Sequence, residues 1–258
     1  MGLFGKIFEK KICSICDGEI GMLGNRKLED GNCCKNCAAK LSPFFSDRRR
    51  STVEDIKAQL EYREENKKAV AAFNTTRTLG RDMKILFDED AKKFMVTKAR
   101  NLAEANPDVL DYTMVTGCDI DIDEDTSEEK YTNNEGNYVS HNPPIYFYDY
   151  DFNVIIHVNH PYFDTIKFQL NPSSIRINPD NAVPASRKPR PDTNVDYREY
   201  TTMAREIKEL LTSARTQVRE EVAAANKPKT AIQCPCCGAT TIPDANGCCE
   251  FCGGATGA

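Results

Sequence analysis

The chain has 258 residues, 40% of them apolar and 28% charged, with a net charge of −5. That is the balance of an ordinary globular protein. It argues against a nucleic-acid coat, which needs a basic face, and no apolar run approaches the roughly 20 residues of a membrane span.

Twelve cysteines organise the rest, eleven of them clustered near the two ends and only Cys118 alone. Cys13 and Cys16 with Cys34 and Cys37 form two C-x-x-C pairs, and so do Cys234 and Cys237 with Cys249 and Cys252. Zinc takes four soft ligands at tetrahedral corners, and a C-x-x-C turn aims two thiolates at one point. Four protein ligands leave no open position, so both sites read as structural, with two zinc ions expected per chain. Nothing resembles a cleavable signal peptide, so the reducing cytoplasm is expected, and zinc rather than disulfides. Cys33, Cys236 and Cys248 each abut a ligand, and would be spare thiols or the ligands of a site slipped by one residue.

In chain order, residues 1–12 form an amphipathic N-terminal segment. Leu3, Phe4, Ile7 and Phe8 stand at helical spacing, with Lys6, Glu9, Lys10 and Lys11 mostly opposite. The pattern suits a weak, reversible contact with a membrane interface, at the inner face of the membrane. The plainer reading is a leader that packs on the following module or frays. Residues 13–45 read as knuckle, hairpin and helix, the treble-clef order. So small a unit cannot bury enough surface to fold alone, and metal binding would supply the deficit.

The motifs Cys13-Ser-Ile-Cys16, Gly21-Met-Leu-Gly-Asn-Arg-Lys-Leu28, Asp30-Gly31, Cys34-Lys-Asn-Cys37 and Lys40-Leu-Ser-Pro-Phe-Phe45 resemble a bacterial domain-of-unknown-function family whose members carry a zinc module at the N-terminus. The likeness spans about residues 1–80. It implies a fold and a metal held by Cys13, Cys16, Cys34 and Cys37, and no activity.

Residues 46–75 form a connecting helix. Ser51-Thr-Val-Glu54 fits a capping box, and the nearly all-polar stretch 61–68 suits a helix that bridges domains. Residues 76–226 form a β-rich domain. A hairpin is expected from 83–87 and 93–97, then strands at 111–115, 118–122, 145–150, 153–159, 165–170 and 174–177, with a loop at 131–144. Together they predict an antiparallel barrel or sandwich. Asp119, Asp121 and Asp123 open like a calcium loop, but Glu124 stands where glycine is needed and Lys130 where the bidentate glutamate belongs. His141, His157 and His160 have no nucleophile at a telling spacing and read as structural.

Pro179, Pro184, Pro189 and Pro191 mark a linker with a basic loop at Arg187, Lys188 and Arg190. Tyr197, Tyr200, Met203, Ile207, Leu210 and Leu211 then step by three and four, an amphipathic helix of about 30 residues. The strand count followed by such a helix resembles pleckstrin-homology-like domains, which implies a barrel with a docking site for a lipid headgroup or peptide. Residues 227–258, with glycines after Cys237 and Cys252, look like a zinc ribbon.

The fold class is therefore multidomain α+β, with two small four-cysteine zinc modules flanking an antiparallel β barrel or sandwich and a long C-terminal helix. The function expected is a non-enzymatic zinc-binding adaptor with a protein partner, extending to membrane contact through Leu3, Phe4, Ile7 and Phe8. The alternative is nucleic-acid binding through the first module with Arg48, Arg49, Arg50 and the basic loop. Each module is expected to unfold alone when a ligand is lost.

Overall fold

The structure, a computed structural model, describes residues 11–177, 188–225, 231–244 and 247–256. Leu3, Phe4, Ile7 and Phe8, with Pro179, Pro184, Arg187, Lys227 and Lys229, lie outside the described residues. The chain forms two compact units, Met1–Arg215 and Thr216–Ala258.

The first unit opens with two short hairpins: β1 (Lys11–Ile12) with β2 (Glu19–Ile20), and β3 (Arg26–Lys27) with β4 (Asn32–Cys33). One helical turn, α1 (Lys35–Ala38), follows. These pieces share a small core of Cys13, Ile20, Leu28, Cys33, Cys37 and Leu41. Ile56 of the next helix, α2 (Val53–Ala72), is fully buried in the same core, with Val53 and Leu60 against it. The Asp30 carboxylate accepts the Val53 N–H at 2.8 Å. The first module and α2 therefore fold on one another.

Thr52, not Ser51, caps α2. Its hydroxyl accepts from the Asp55 N–H at 3.2 Å, and the Asp55 carboxylate accepts the Thr52 N–H at 2.8 Å. Ser51 and Thr52 are adjacent, as are Glu54 and Asp55, so one capping pattern fits two registers. Ser51 is buried and donates to the Asp47 carbonyl at 3.0 Å.

The polar stretch of α2 faces inward as well as outward. Gln59, Arg63 and Asn66 are buried. Arg63 reaches the Asp108 carboxylate at 2.6 Å, with side chains only 6% and 0% exposed. Arg63 also donates to the carbonyls of Lys40 and Asn106, and Ser42 donates to Asp108 at 2.7 Å. Asn66 donates to Asn106 and Pro107, both at 2.8 Å, and accepts the Val109 N–H at 3.0 Å. A buried pair is tolerable only when its remaining donors and acceptors are met, and this network meets them from three segments. The asparagines and the arginine that look like a solvated surface are the joint between the first module, α2 and the loop before residue 110.

The β-rich part is two four-stranded antiparallel sheets, not a closed barrel. The first has the order β5 (Arg77–Leu79), β6 (Lys84–Asp88), β7 (Lys93–Thr97) and, after the one-turn helix α3 (Leu102–Ala105), β8 (Leu110–Asp111). Strands β6 and β7 pair as the hairpin expected from the sequence. The strand expected at 111–115 is instead a 3-10 turn, Tyr112–Met114, which seats the Tyr112 ring against Phe94 and Phe87.

The second sheet is built on a long ribbon of β9 (Val115–Thr132) and β10 (Tyr138–His160). The loop expected at 131–144 is mostly ribbon. Only residues 133–137 turn, and Pro143 and Pro144 fall where the register shifts between Ser140 and Ile145. A bulge is where a strand tolerates proline, because no ladder donor is needed there. The strands expected at 145–150 and 153–159 are likewise one strand. Strands β11 (Phe163–Gln169) and β12 (Ile175–Ile177) pair with successive parts of the other edge of β10.

Helix α4 (Val195–Ala225) lays its first half on this sheet and on the turn after β5. Tyr200, Ala204, Ile207 and Leu211 are buried. Tyr197 meets Tyr150 and Phe152 at 5.1 Å each, and the Gly80 N–H points at the Met203 sulfur at 3.2 Å. Arg77 and Arg81 reach Glu206 and Glu199 at 2.9 and 2.8 Å. Among the described residues no helix is long and apolar enough to cross a membrane.

His160, at the end of β10, packs on Phe163 at 4.1 Å and meets the Tyr62 hydroxyl at 3.0 Å. Its Nδ1 accepts the Tyr162 N–H at 3.3 Å, which only an unprotonated nitrogen can do. Burial lowers its pKa from 6.5, with Asp108 acting partly against it. The unfolded chain therefore takes up this proton at higher pH than the folded chain. The stability contributed by neutral His160 is fully present above pH 6.5 and is lost as pH falls below it. Urea unfolding across this range should show a wild-type loss of stability that His160→Gln flattens. Equal slopes for the two proteins would contradict the assignment.

Candidate metal centres

Three of the four cysteine pairs sit in one backbone device. In each, the first cysteine's N–H bonds the carbonyl five residues on, and its carbonyl accepts the N–H four residues on. The pairs are Cys13 N to Gly18 O and Asp17 N to Cys13 O, both 2.9 Å. For Cys234 they involve Ala239 and Gly238 at 2.8 and 2.9 Å, and for Cys249 they involve Gly254 and Gly253 at 2.9 and 2.8 Å. The residue four on has a left-handed backbone: Asp17 (φ 57°), Gly238 (φ 75°) and Gly253 (φ 67°). Glycine takes this conformation without strain, and aspartate is among the residues that visit it. A Cβ on Gly253 would meet nothing within 4 Å. Gly253→Ala therefore isolates the backbone cost, about 1–2 kcal/mol. The expected result is weaker metal retention in chelator competition; unchanged retention would contradict it.

The fourth pair is set by a helix start. Cys34 is the N-cap of α1, and its sulfur accepts the Cys37 N–H at 3.3 Å. The Cys34 N–H bonds the Cys13 sulfur at 3.2 Å and so ties the first pair to the second. In the second unit β13 (Ile232–Gln233) pairs with β14 (Thr240–Thr241), and a single bridge joins Cys248 to Ala255. The centre lies between these two short hairpins.

Cys13, Cys16, Cys34 and Cys37 bring their sulfurs within 4.8 Å of one another, as do Cys234, Cys237, Cys249 and Cys252. Four sulfurs, each about 2.3 Å from a central ion, would stand at the corners of a tetrahedron with edges of about 3.8 Å. The separations Cys16–Cys34, Cys234–Cys252 and Cys237–Cys249 are 3.8, 3.7 and 3.8 Å. A disulfide would need about 2.05 Å. Both groups thus have the donor set and the size for zinc.

The electrostatics fit a cation too. Burial works against the Cys13 thiolate, but the N–H groups of Cys34, Ile15 and Cys16 outweigh it and bring the thiol to about 6. Burial likewise opposes Cys249, and the amides of Cys252 and Phe251 bring it to about 6. Burial and the neighbouring sulfurs push Cys37 up. Thiolates crowded this closely need a positive charge among them.

The adjacent cysteines are not part of either group. Cys33 is fully buried in the module core, and burial pushes its thiol up to about 11. Cys236 packs on the knuckle backbone, so close that a Cβ on Gly254 would stand 2.9 Å from its sulfur. Cys248 lies in the bridge to Ala255. Cys118, on β9, is a core thiol raised to about 11 by burial. The remaining histidines sit on the ribbon, His157 at 3.5 Å from Asp119 and His141 at 3.9 Å from Glu129. Asp123 accepts from Asn153 at 2.8 Å across the strands.

Residues 11–59 match the model of a family described as a domain of unknown function (DUF4428). The stretch holds the whole first cysteine group and runs into α2 as far as Gln59, past the Ile56 that completes the module's core. No curated protein and no solved structure matches the chain.

Proposed function

We propose that the chain is a non-enzymatic zinc-binding adaptor, with zinc at both cysteine groups and a protein as partner. The observation that carries this reading is the pair of four-sulfur groups of zinc dimensions. When bound, zinc would supply cross-linking of the knuckles, and a shell filled by four cysteines keeps no position for substrate or water. Such metal-loaded thiolates persist in a reducing compartment, and the cytoplasm is the setting this reading adopts.

Support for a protein partner comes from the second unit. Phe251, between two ligands, is 69% exposed, and Ile242 is 48% exposed. Aromatic anchors of this kind are enriched where proteins meet. Nucleic acid is the less favoured partner. Lys188 pairs with Glu124, Arg190 with Asp192 at 2.6 Å and Arg50 with Asp47 at 2.5 Å, so several cations that reading needs are already engaged.

Cobalt substitution tests the non-catalytic part. The expected spectrum is that of two tetrahedral four-thiolate centres, unmoved by cyanide or imidazole. A shift on adding either ligand would mean an open position and would contradict the reading. Partner capture should be lost in Phe251→Ala, with zinc content unchanged. A partner still retained by that variant would exclude this surface.

A further inference from the structure

The turn between β2 and β3 carries an apolar tip beside a cluster of four cations. The Gly24 N–H closes the turn on the Gly21 carbonyl at 2.9 Å, which leaves Met22 and Leu23 at its two central positions. They are 89% and 90% exposed. Large apolar side chains this exposed, side by side on a tight turn, gain nothing from the fold.

The Arg26 guanidinium bonds the Leu23 carbonyl at 3.3 Å, so a positive charge sits directly under the tip. Arg48 donates to the Lys27 carbonyl at 3.0 Å, which brings the 3-10 turn Asp47–Arg50 against β3. Arg26, Lys27, Arg48 and Arg49 together line a cavity of about 750 Å³, with Glu29 its one carboxylate. Among the described residues none of these four cations forms an ion pair. Two nearby acids have partners of their own: Asp47 holds Arg50 at 2.5 Å and Asp30 accepts the Val53 N–H. Arg48 is lowered by burial and then by Arg26, with Arg49 adding to it, as expected where like charges are held together.

We infer that this surface docks on an anionic phospholipid bilayer, with Met22 and Leu23 entering the headgroup boundary and Arg26, Lys27, Arg48 and Arg49 taking lipid phosphates. The chain as a whole carries −5, so nothing draws it to a polyanion except locally. Within a Debye length of about 8–10 Å the four cations dominate what an approaching surface meets. An apolar tip ringed by cations matches a membrane, which offers negative charge outside and hydrocarbon just beneath. A nucleic-acid backbone would satisfy the cations and leave Met22 and Leu23 in water. This inference goes beyond the adaptor reading and does not depend on it.

Sedimentation of the full chain, zinc-loaded, with phosphatidylcholine vesicles and with phosphatidylcholine–phosphatidylserine vesicles tests it. Binding is expected on the anionic vesicles only. Lys27→Gln with Arg49→Gln removes two cations whose side chains make no hydrogen bond among the described residues. It should weaken binding about 25-fold, at roughly fivefold per charge. Met22→Ser with Leu23→Ser should weaken it at least about tenfold, from lost apolar burial. Both double variants alter exposed side chains and should keep wild-type circular dichroism and zinc content. Wild-type affinity in both would overturn the inference and leave any bilayer contact to residues 1–11. So would no association of the full chain, equal binding to neutral vesicles, or retention on duplex DNA without vesicle binding.

Discussion

Replacing Cys13 with serine should unfold more than the knuckle that holds it. Cys13 is fully buried, and its sulfur is the acceptor that ties Cys34 to the first pair. The module's own apolar core is Ile20, Leu28 and Leu41 with the cysteines. That is too little for so short a stretch, and metal binding in comparable peptides is worth about 10–16 kcal/mol. Loss of one ligand from a four-sulfur site should therefore release the ion and the fold of residues 11–50 with it. The damage should continue into α2, because Ile56 loses its core and Arg63 loses the Lys40 carbonyl. Hydrogen exchange should show loss of protection from residue 11 into the first turns of α2. A loss of protection that stops sharply before residue 50, with α2 still protected, would restore the self-contained module that the cysteine spacing alone suggests. Cys249→Ser should by contrast lose protection only within residues 231–256, where β13, β14 and the Cys248–Ala255 bridge depend on that centre.

Asp108→Ala is expected to cost about 3–5 kcal/mol, because it strands the Arg63 guanidinium in the interior without its partner. Domains of this kind have roughly 5–15 kcal/mol in all, so the midpoint of urea unfolding should fall steeply. Asp108 also accepts from Ser42, so the first module loses an anchor in the same step. The double change Arg63→Met with Asp108→Leu should recover most of the loss, since replacing a buried pair with apolar groups is often neutral or stabilising. If the single change costs under about 1 kcal/mol, as an exposed pair would, the pair is not the joint described.

These two expectations differ in how visible they were from the residues alone. The four-cysteine groups were legible because C-x-x-C is a local device whose geometry, in three of the four pairs, depends on six consecutive residues. Helix α4 was legible for the same reason: its apolar positions recur over two turns and more. The Arg63–Asp108 pair is 45 residues apart in sequence. Nothing local distinguishes Arg63 and Asn66 from the solvated Glu64 and Lys67 beside them, so the stretch read as a bridge through solvent. The run Asn106-Pro-Asp108 reads as a turn, and that turn is where the network closes.

The β-rich part was legible strand by strand and as antiparallel, but whether it closes into a barrel was not. Alternation at Phe152, Val154, Ile156 and Val158 marks a strand, and those residues are buried. Prolines at 143 and 144 and asparagines at 133 and 134 suggested a loop, yet a bulge absorbs the prolines and the ribbon continues to Tyr138. Alternation does not say whether sheets close, and here they form two open sheets, with α4 packed on the second and on the turn after β5. Met22 and Leu23 read as ordinary hairpin residues, because exposure is decided by where the turn points.

The central claim is that both cysteine groups hold zinc, and metal analysis of the intact chain tests it most directly. The purified protein should carry two zinc ions per chain, and Cys13→Ser and Cys249→Ser should each carry one. A zinc-free chain that keeps both groups folded would contradict the account. So would either serine variant that still holds two.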